Sequence, residues 1–425
     1  MNKIKEVLKE IDFSISPEKI EELKMETKEL VGEIKNEIKK QREKAEVFIG
    51  GSFAKGTLIR ENEYDVDIFV RFDKEDDLSN KLEKIIKKVS GKIKRRYERV
   101  HGSRDYFRII KDKETRYEII PVLKVKKAKE ARNVTDLSYF HVNYVRKKIN
   151  PNIAKEIGIA KAFFKSAGVY GAESYIRGIS GYGVECLLIY YKKFENLVNA
   201  IAKSKEGEKI IIDIEKDYKN KQELLIDINE SKSHGPMILV DPTWKGRNVL
   251  AALGKETFDK LKERVNKFLA NPSRSYFEIK EIDVDKLRKY AKDNKSEFVD
   301  IVLTTDRQEG DIAGTKMKKF SLYLESEIGK YFQIKKEEFA YNDAQEAKLY
   351  LIVKPNKEFT KIGPPVKMKS SVSAFKSQNK KVYEKAGRLY AKITINFSCK
   401  SFINDFKEKY KDKIKEMDVT GISVS

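Results

Sequence analysis

The 425-residue chain contains only two cysteines, Cys186 and Cys399, far apart and without metal-ligand spacing. That scarcity excludes a disulfide framework and a zinc site, and a reducing compartment is expected. No run approaches the roughly 18 consecutive apolar residues that a membrane helix needs, and Met1-Asn2-Lys3 leads into a charged helix rather than a signal peptide. A cytoplasmic location follows as the expectation. Internal repeats and long low-complexity linkers are also missing. Acidic residues are in deficit, 67 against 89 basic ones, for a net charge of +22. Such a field attracts polyanions and makes nucleic acid the leading partner; the competing explanation is the Lys- and Glu-rich surface of a heat-adapted protein. Hydrophobic residues make up 40%, enough for folded domains, and the length predicts two to three of them.

The N-terminal segment reads as two helices divided near Ser14-Ile15-Ser16-Pro17, with Ser16 as N-cap and Pro17 in the first helical position. Leu30, Ile34 and Ile38 give the second helix an apolar stripe. A strand, Ala45 to Ile49, leads into Gly50-Gly51-Ser52-Phe53-Ala54-Lys55-Gly56-Thr57. A helix around Leu82 to Val89 follows, then strands over Arg96 to Val100, Tyr106 to Ile110 and Arg116 to Val125, the last two forming a hairpin across Lys111 to Thr115. Residues 151–272 read as mainly helical. Within them, the glycines, tyrosines and arginine of 168–183 suggest either backbone approaching a ligand or a tight interhelical connection. Residues 241–248 read as a turn before another helix. From Ser273 onward strands and helices alternate, with a final helix over Phe402 to Lys413. A sheet with helices on one face and abundant lysine is compatible with RNA binding.

The chemistry concentrates in Glu63-Tyr64-Asp65-Val66-Asp67-Ile68. Side chains alternate along a strand, so Glu63, Asp65 and Asp67 share one face and Tyr64, Val66 and Ile68 the other. Carboxylates about 7 Å apart repel unless a cation neutralises them, which points to one or two Mg²⁺. Glu118, on the second strand of the hairpin, supplies a third carboxylate to one sheet face. The competing reading is a solvated edge strand after a tight turn.

Gly51-Ser52 followed by Asp65-Val66-Asp67 resembles the nucleotidyltransferase superfamily that includes DNA polymerase beta. Further motifs narrow the resemblance: Phe163-Phe164-Lys165-Ser166-Ala167-Gly168-Val169-Tyr170-Gly171-Ala172-Glu173, Arg177-Gly178-Ile179-Ser180-Gly181-Tyr182, and Val240-Asp241-Pro242 with Arg247-Asn248-Val249. Together they are similar to the archaeal, class I, tRNA CCA-adding enzymes, most strongly through about residue 260. That family adds C, C and A to the tRNA 3′ end from CTP and ATP without a template. The resemblance implies Asp65, Asp67 and Glu118 as catalytic metal carboxylates, Ser52 and Lys55 as nucleotide contacts in the glycine turn, and His141, Lys161 and Tyr170 as further contacts. It implies that Arg247 faces the base edge, and it favours a homodimer. Taken from chemistry alone, Lys161 could equally be a solvated helix lysine, His141, one of three histidines, a packed residue, and Arg247 the partner of a carboxylate near the turn. Two departures stand out. The family pattern usually has aspartate at the position of Glu118, whose extra methylene moves the carboxylate by about 1.5 Å, and arginine occurs at the position of Lys55.

The expected fold is a multidomain α/β (α+β) protein: a nucleotidyltransferase head with a palm-like mixed sheet over residues 1–140, a helical nucleotide-recognition region over 141–272, and an α+β tRNA-binding region over 273–425. Rival readings are a poly(A)-type polymerase or small-molecule nucleotidyltransferase of the same superfamily, and a catalytically silent RNA-binding protein.

Overall fold

Ser16 accepts a hydrogen bond from the Lys19 N–H at 3.2 Å and Pro17 opens the next helix, so α1 (Lys3–Glu10) ends and α2 (Pro17–Lys40) begins where the cap chemistry allows it. The computed structural model describes residues 3–228, 233–342 and 344–425, in two units, Met1–Lys280 and Glu281–Ser425. In the first, α2 buries Leu23, Leu30, Val31, Ile34 and Ile38, the face marked by the apolar stripe.

That face packs against a five-stranded sheet and its helix. The elements are β1 (Ala45–Ile49), α3 (Gly51–Lys55), β2 (Tyr64–Phe72), α4 (Leu78–Ile93), β3 (Tyr97–Val100), β4 (Tyr106–Ile110) and β5 (Thr115–Leu123). The sheet order is β1-β2-β5-β4-β3, with β2 and β5 parallel and every other pair antiparallel. Alternation divides its faces. Val66, Ile68, Val70, Phe107, Ile109, Tyr117 and Ile119 are buried in one core with Leu82, Ile85 and Ile86 of α4. The other face is left to Asp65, Asp67, Phe69, Arg108 and Glu118. The glycine stretch, expected as a turn, closes into the short helix α3.

The rest of the first unit comprises α5 (Ser138–Lys148), α6 (Pro151–Ser166), α7 (Gly181–Tyr191), α8 (Phe194–Lys203), β6 (Ile210–Ile212), α9 (Lys221–Asp227), β7 (Met237–Asp241), β8 (Trp244–Asn248) and α10 (Lys255–Ala270). It has its own core, centred on Phe163, Phe194, Phe268 and Phe277, whose rings meet pairwise at 5.2 to 5.9 Å. Phe277 carries this core past residue 272. Residues 241–248, read from sequence as a turn, form a hairpin instead: Asp241 pairs with Trp244 and Val240 with Asn248, while the Asp241 carboxylate accepts from the Thr243 N–H at 2.9 Å and shapes the tight reversal. The 168–183 stretch is a tight connection: Tyr170 bridges Ile179, and a Cβ on Gly178 would lie 2.1 Å from the Val169 carbonyl oxygen.

In the second unit, α11 (Val284–Asp293), β9 (Glu297–Thr304), α12 (Asp311–Ile328), β10 (Phe332–Tyr341), β11 (Glu346–Pro355), β12 (Glu358–Pro365), α13 (Lys369–Gln378), β13 (Val382–Lys385), β14 (Arg388–Thr394), α14 (Cys399–Lys409), α15 (Lys411–Glu416) and β15 (Gly421–Val424) build two sheets, β10-β11-β9-β15 and β12-β14-β13. Met317, Phe320, Leu324 and Ile328 of α12 and Ile403 and Phe406 of α14 cover one face of the first sheet. On its other face Arg288 of α11 lies over the Phe298 ring at 5.1 Å, so helices are not confined to one face. The expected final helix breaks at Tyr410, and the chain ends as β15, paired with β9. Among the described residues no helix is long and apolar enough to cross a membrane.

Candidate active site

Parallel pairing of β2 with β5 places Asp67 beside Glu118 and Asp65 beside Arg116. Asp65 is exposed and Asp67 half-buried. Burial, then the neighbouring charge of Glu118, pushes the Asp67 carboxyl up to about 7 despite Lys55. Burial, and then the charge of Asp65, likewise raises Glu118. Burial, more than the neighbouring charges, disfavours the ionised carboxylates here, a penalty that a hard divalent cation relieves. Glu118 does not complete a three-carboxylate cage, however. It accepts from Arg108 Nη2 at 2.9 Å, its opposite number on β4, and among the described residues no three acidic, histidine or cysteine side chains gather closely enough to hold one ion. Asp65 and Asp67 are therefore the pair presented for a metal, with oxygen donors that suit Mg²⁺. Glu63 is taken by Arg116, at 2.8 Å.

The two glycines before this strand are required by close approach. The Gly50 N–H donates to the Asp67 carbonyl at 2.8 Å. Gly51 has φ of +60°, and a Cβ there would lie 1.7 Å from Asp67 Oδ2. Gly51→Ala should therefore displace the Asp67 carboxylate and strain the backbone by about 1–3 kcal/mol. The expected result is an activity loss of at least about 100-fold, read in a nucleotide-incorporation assay, with far-ultraviolet circular dichroism unchanged.

Lys55 leaves α3 toward Glu185, a residue outside the sequence motifs. Its Nζ donates to Glu185 Oε2 at 2.6 Å, the Thr57 hydroxyl donates to Glu185 Oε1 at 2.5 Å, and Lys161 Nζ lies 3.8 Å from Oε1 while donating to the Thr57 carbonyl at 2.7 Å. Glu185 is fully buried and Lys161 nearly so. One carboxylate thus holds two ammonium groups and pins the end of the glycine turn to α6 and α7. As placed, Lys161 secures that turn. Burial, with Lys55 adding to it, lowers Lys161 to about 8 against the pull of Glu185. Because the folded value lies below the unfolded one, the unfolded chain binds more protons between pH 8 and 10.5, and this group stabilises the fold progressively as pH rises through that window. Lys161→Met should abolish that part of the pH dependence, measured as the difference between wild-type and variant urea midpoints. The sequence signal for Glu185 was a single carboxylate inside the apolar run of α7.

Asp241 is the second buried hub. It receives His141 Nε2 at 3.1 Å, the Tyr182 hydroxyl at 3.1 Å, the Thr243 hydroxyl at 2.8 Å and Arg247 Nη1 at 2.6 Å. Burial works to raise Asp241, but these donors hold it well below the usual carboxylate range. Burial lowers His141, whose ring stacks on Tyr182 at 3.8 Å. Arg247 is therefore paired with a carboxylate, the alternative its sequence context left open. Lys55 lies 5.9 Å from the Tyr182 ring, which brings the two hubs side by side. Tyr170 is half-buried beneath Lys165 Nζ, 4.8 Å from its ring, and its hydroxyl lies against Gly181. Ser52, in the first turn of α3, is half-buried.

Carboxylates on a mixed sheet, a glycine turn pressed against them and a helical layer behind define a nucleotidyltransferase fold. A cytoplasmic RNA terminal U-transferase shares it, with a TM-score of 0.50 at 15% identity over 66% of this chain and 98% of that one. So does the Cid1 poly(U) polymerase bound to Mg and 3′-dATP, with a TM-score of 0.50 at 14% identity over 65% and 98%. Residues 1–139 match the Second Messenger Oligonucleotide or Dinucleotide Synthetase domain, and residues 155–278 the tRNA nucleotidyltransferase second domain. The CCA-adding enzyme of Nanoarchaeum equitans is 35% identical over 375 residues, 86% of this chain and 87% of its own. That of Methanocaldococcus jannaschii is 29% identical over 408 residues, 91% and 87%. The chain belongs to the archaeal CCA-adding enzyme family, and it is an enzyme that transfers nucleotides.

Proposed function

We propose that this protein adds C, C and A to the 3′ end of tRNA from CTP and ATP, releasing pyrophosphate at each step. The observation that carries the reading is the Asp65–Asp67 pair held against Gly51, within a chain that resembles CCA-adding enzymes over most of its length. Residues 1–140 serve as the catalytic head, 141–272 recognise the nucleotide, and 273–425 bind tRNA. Asp65 and Asp67 would hold Mg²⁺, with Glu118, now paired with Arg108, as the third carboxylate beside them. The bound metal supplies Lewis-acid stabilisation of charge on the α-phosphate and the leaving pyrophosphate.

In each transfer the tRNA 3′-hydroxyl oxygen bonds to the α-phosphorus, the bond from that phosphorus to the pyrophosphate oxygen breaks, and Glu118 takes the hydroxyl proton. Ser52 and the α3 backbone orient the triphosphate. Lys55, held by Glu185, and Lys161 set the positive potential behind it. His141, Tyr170 and Arg247, the last anchored on Asp241, line the nucleotide's side of the site. The expected nucleotide preference is CTP and ATP over UTP and GTP, checked by single-nucleotide incorporation on tRNA ending one or two residues short; efficient use of UTP or GTP would overturn it. Binding to tRNA should weaken about 10³-fold between 50 and 200 mM salt if about six phosphates are contacted, read by filter binding.

A further inference from the structure

Away from the carboxylates, the first unit contains a cavity of about 1090 Å³, lined among others by Phe13, Val47, Phe53, Leu58, Val142 and Ile159. These come from the segment before α2, from β1, α3 and the residues after it, α5 and α6. A second hollow of about 650 Å³ shares Lys35, Val47, Phe48 and Tyr139 with it. The first cavity's volume and mostly apolar wall suit a hydrocarbon body, at about the size that small-molecule sites reach.

Charge at the rim selects one end of that body. Lys35, Arg146 and Lys155 line the cavity and are exposed, and none pairs with a carboxylate among the described residues. Asp12 is the single acid in the lining; it accepts from the Ser14 N–H at 2.8 Å, and its charge is felt by Arg60 and Lys155. With Lys155 shared with Asp12, Lys35 and Arg146 leave the rim net positive, which complements an amphipathic anion.

The cavity also touches the site from behind. Phe53 and Ala54 of α3 form part of its wall, and the same short helix carries Ser52 and Lys55. Val142 follows His141 on α5. We propose that this cavity binds a fatty-acid-like anion, an unbranched apolar chain ending in a carboxylate, and that its occupancy sets the position of α3 and with it the affinity for nucleotide. The second clause rests on the nucleotide-transfer reading; the first does not.

The test titrates decanoate into the full-length protein by calorimetry, with decanol as the uncharged probe. Wild type should show saturable binding with a negative heat-capacity change. Decanol and the double variant Arg146→Glu/Lys155→Glu should each bind at least about tenfold more weakly, the equivalent of about 1.4 kcal/mol. Ala154→Phe, which fills the cavity from α6, should abolish binding while retaining the circular dichroism and basal incorporation of wild type. Decanoate should change the KM for CTP by about threefold or more in wild type and not in Ala154→Phe. Absence of saturable binding, or binding unchanged in Ala154→Phe, overturns the site. Saturable binding with an unmoved KM overturns the coupling alone. A chain that incorporates no nucleotide overturns the functional reading, and the calorimetry still decides the cavity.

Discussion

Asp67→Asn should reduce nucleotide incorporation by about 10³-fold or more while leaving the protein folded and at least as stable as wild type. The two effects have one cause. Asp67 sits half-buried against Gly51 and beside Glu118, where its charge is disfavoured until a metal compensates it. Its folded pKa, about 7, lies above the unfolded value. The unfolded chain therefore holds fewer protons at intermediate pH, and stability falls as pH rises from the ordinary aspartate range to about 7. The amide removes that penalty, so without metal the variant's urea midpoint at pH 7.5 should equal or exceed the wild-type one. On the proposed reading it also removes a metal ligand and the charge that positions the transfer. Retained tRNA binding by filter assay would show that the loss lies in chemistry. A catalytically silent RNA-binding protein would instead lose no function on this substitution.

Glu185→Gln should destabilise the first unit by about 3–5 kcal/mol, because removing one member of a buried ion cluster strands the others. Lys55 and Lys161 would face each other around a neutral amide in a site closed to water. The fluorescence of Trp244, the single tryptophan, reports on this unit and should show an earlier urea transition. The double variant Glu185→Gln/Lys161→Met removes one stranded charge and should recover part of the loss. Equal stability of the single variant and wild type would mean that the cluster is wet and that the glycine turn is held by other contacts.

The acidic strand was legible because its information is local. Alternation of Asp65 and Asp67 with Val66 and Ile68, and the turn between β4 and β5 that brings Glu118 onto the same sheet, need only period-two geometry. Gly51 was legible as a turn residue, but its contact with Asp67 was not, since the approach depends on the pairing of β1 with β2. The two hubs were hidden for a stronger reason. Glu185 meets Lys55 across 130 residues and Asp241 meets His141 across 100, and no spacing rule connects such distances. Each nevertheless left a trace as a lone carboxylate at the end of, or within, an apolar run, which a folded chain tolerates only with partners. In the second unit, a register shift between Ile334 and Lys336 breaks the alternation of β10, so period two does not mark it in the sequence.

Extension of a tRNA that ends just before its CCA, supplied with CTP, ATP and Mg²⁺ and resolved at single-nucleotide length with sequencing of the product, tests the central claim most directly. The expected product is three nucleotides longer, ends in C, C and A in that order, and grows no further. A long homopolymer, or no extension at all by the intact chain, would contradict it.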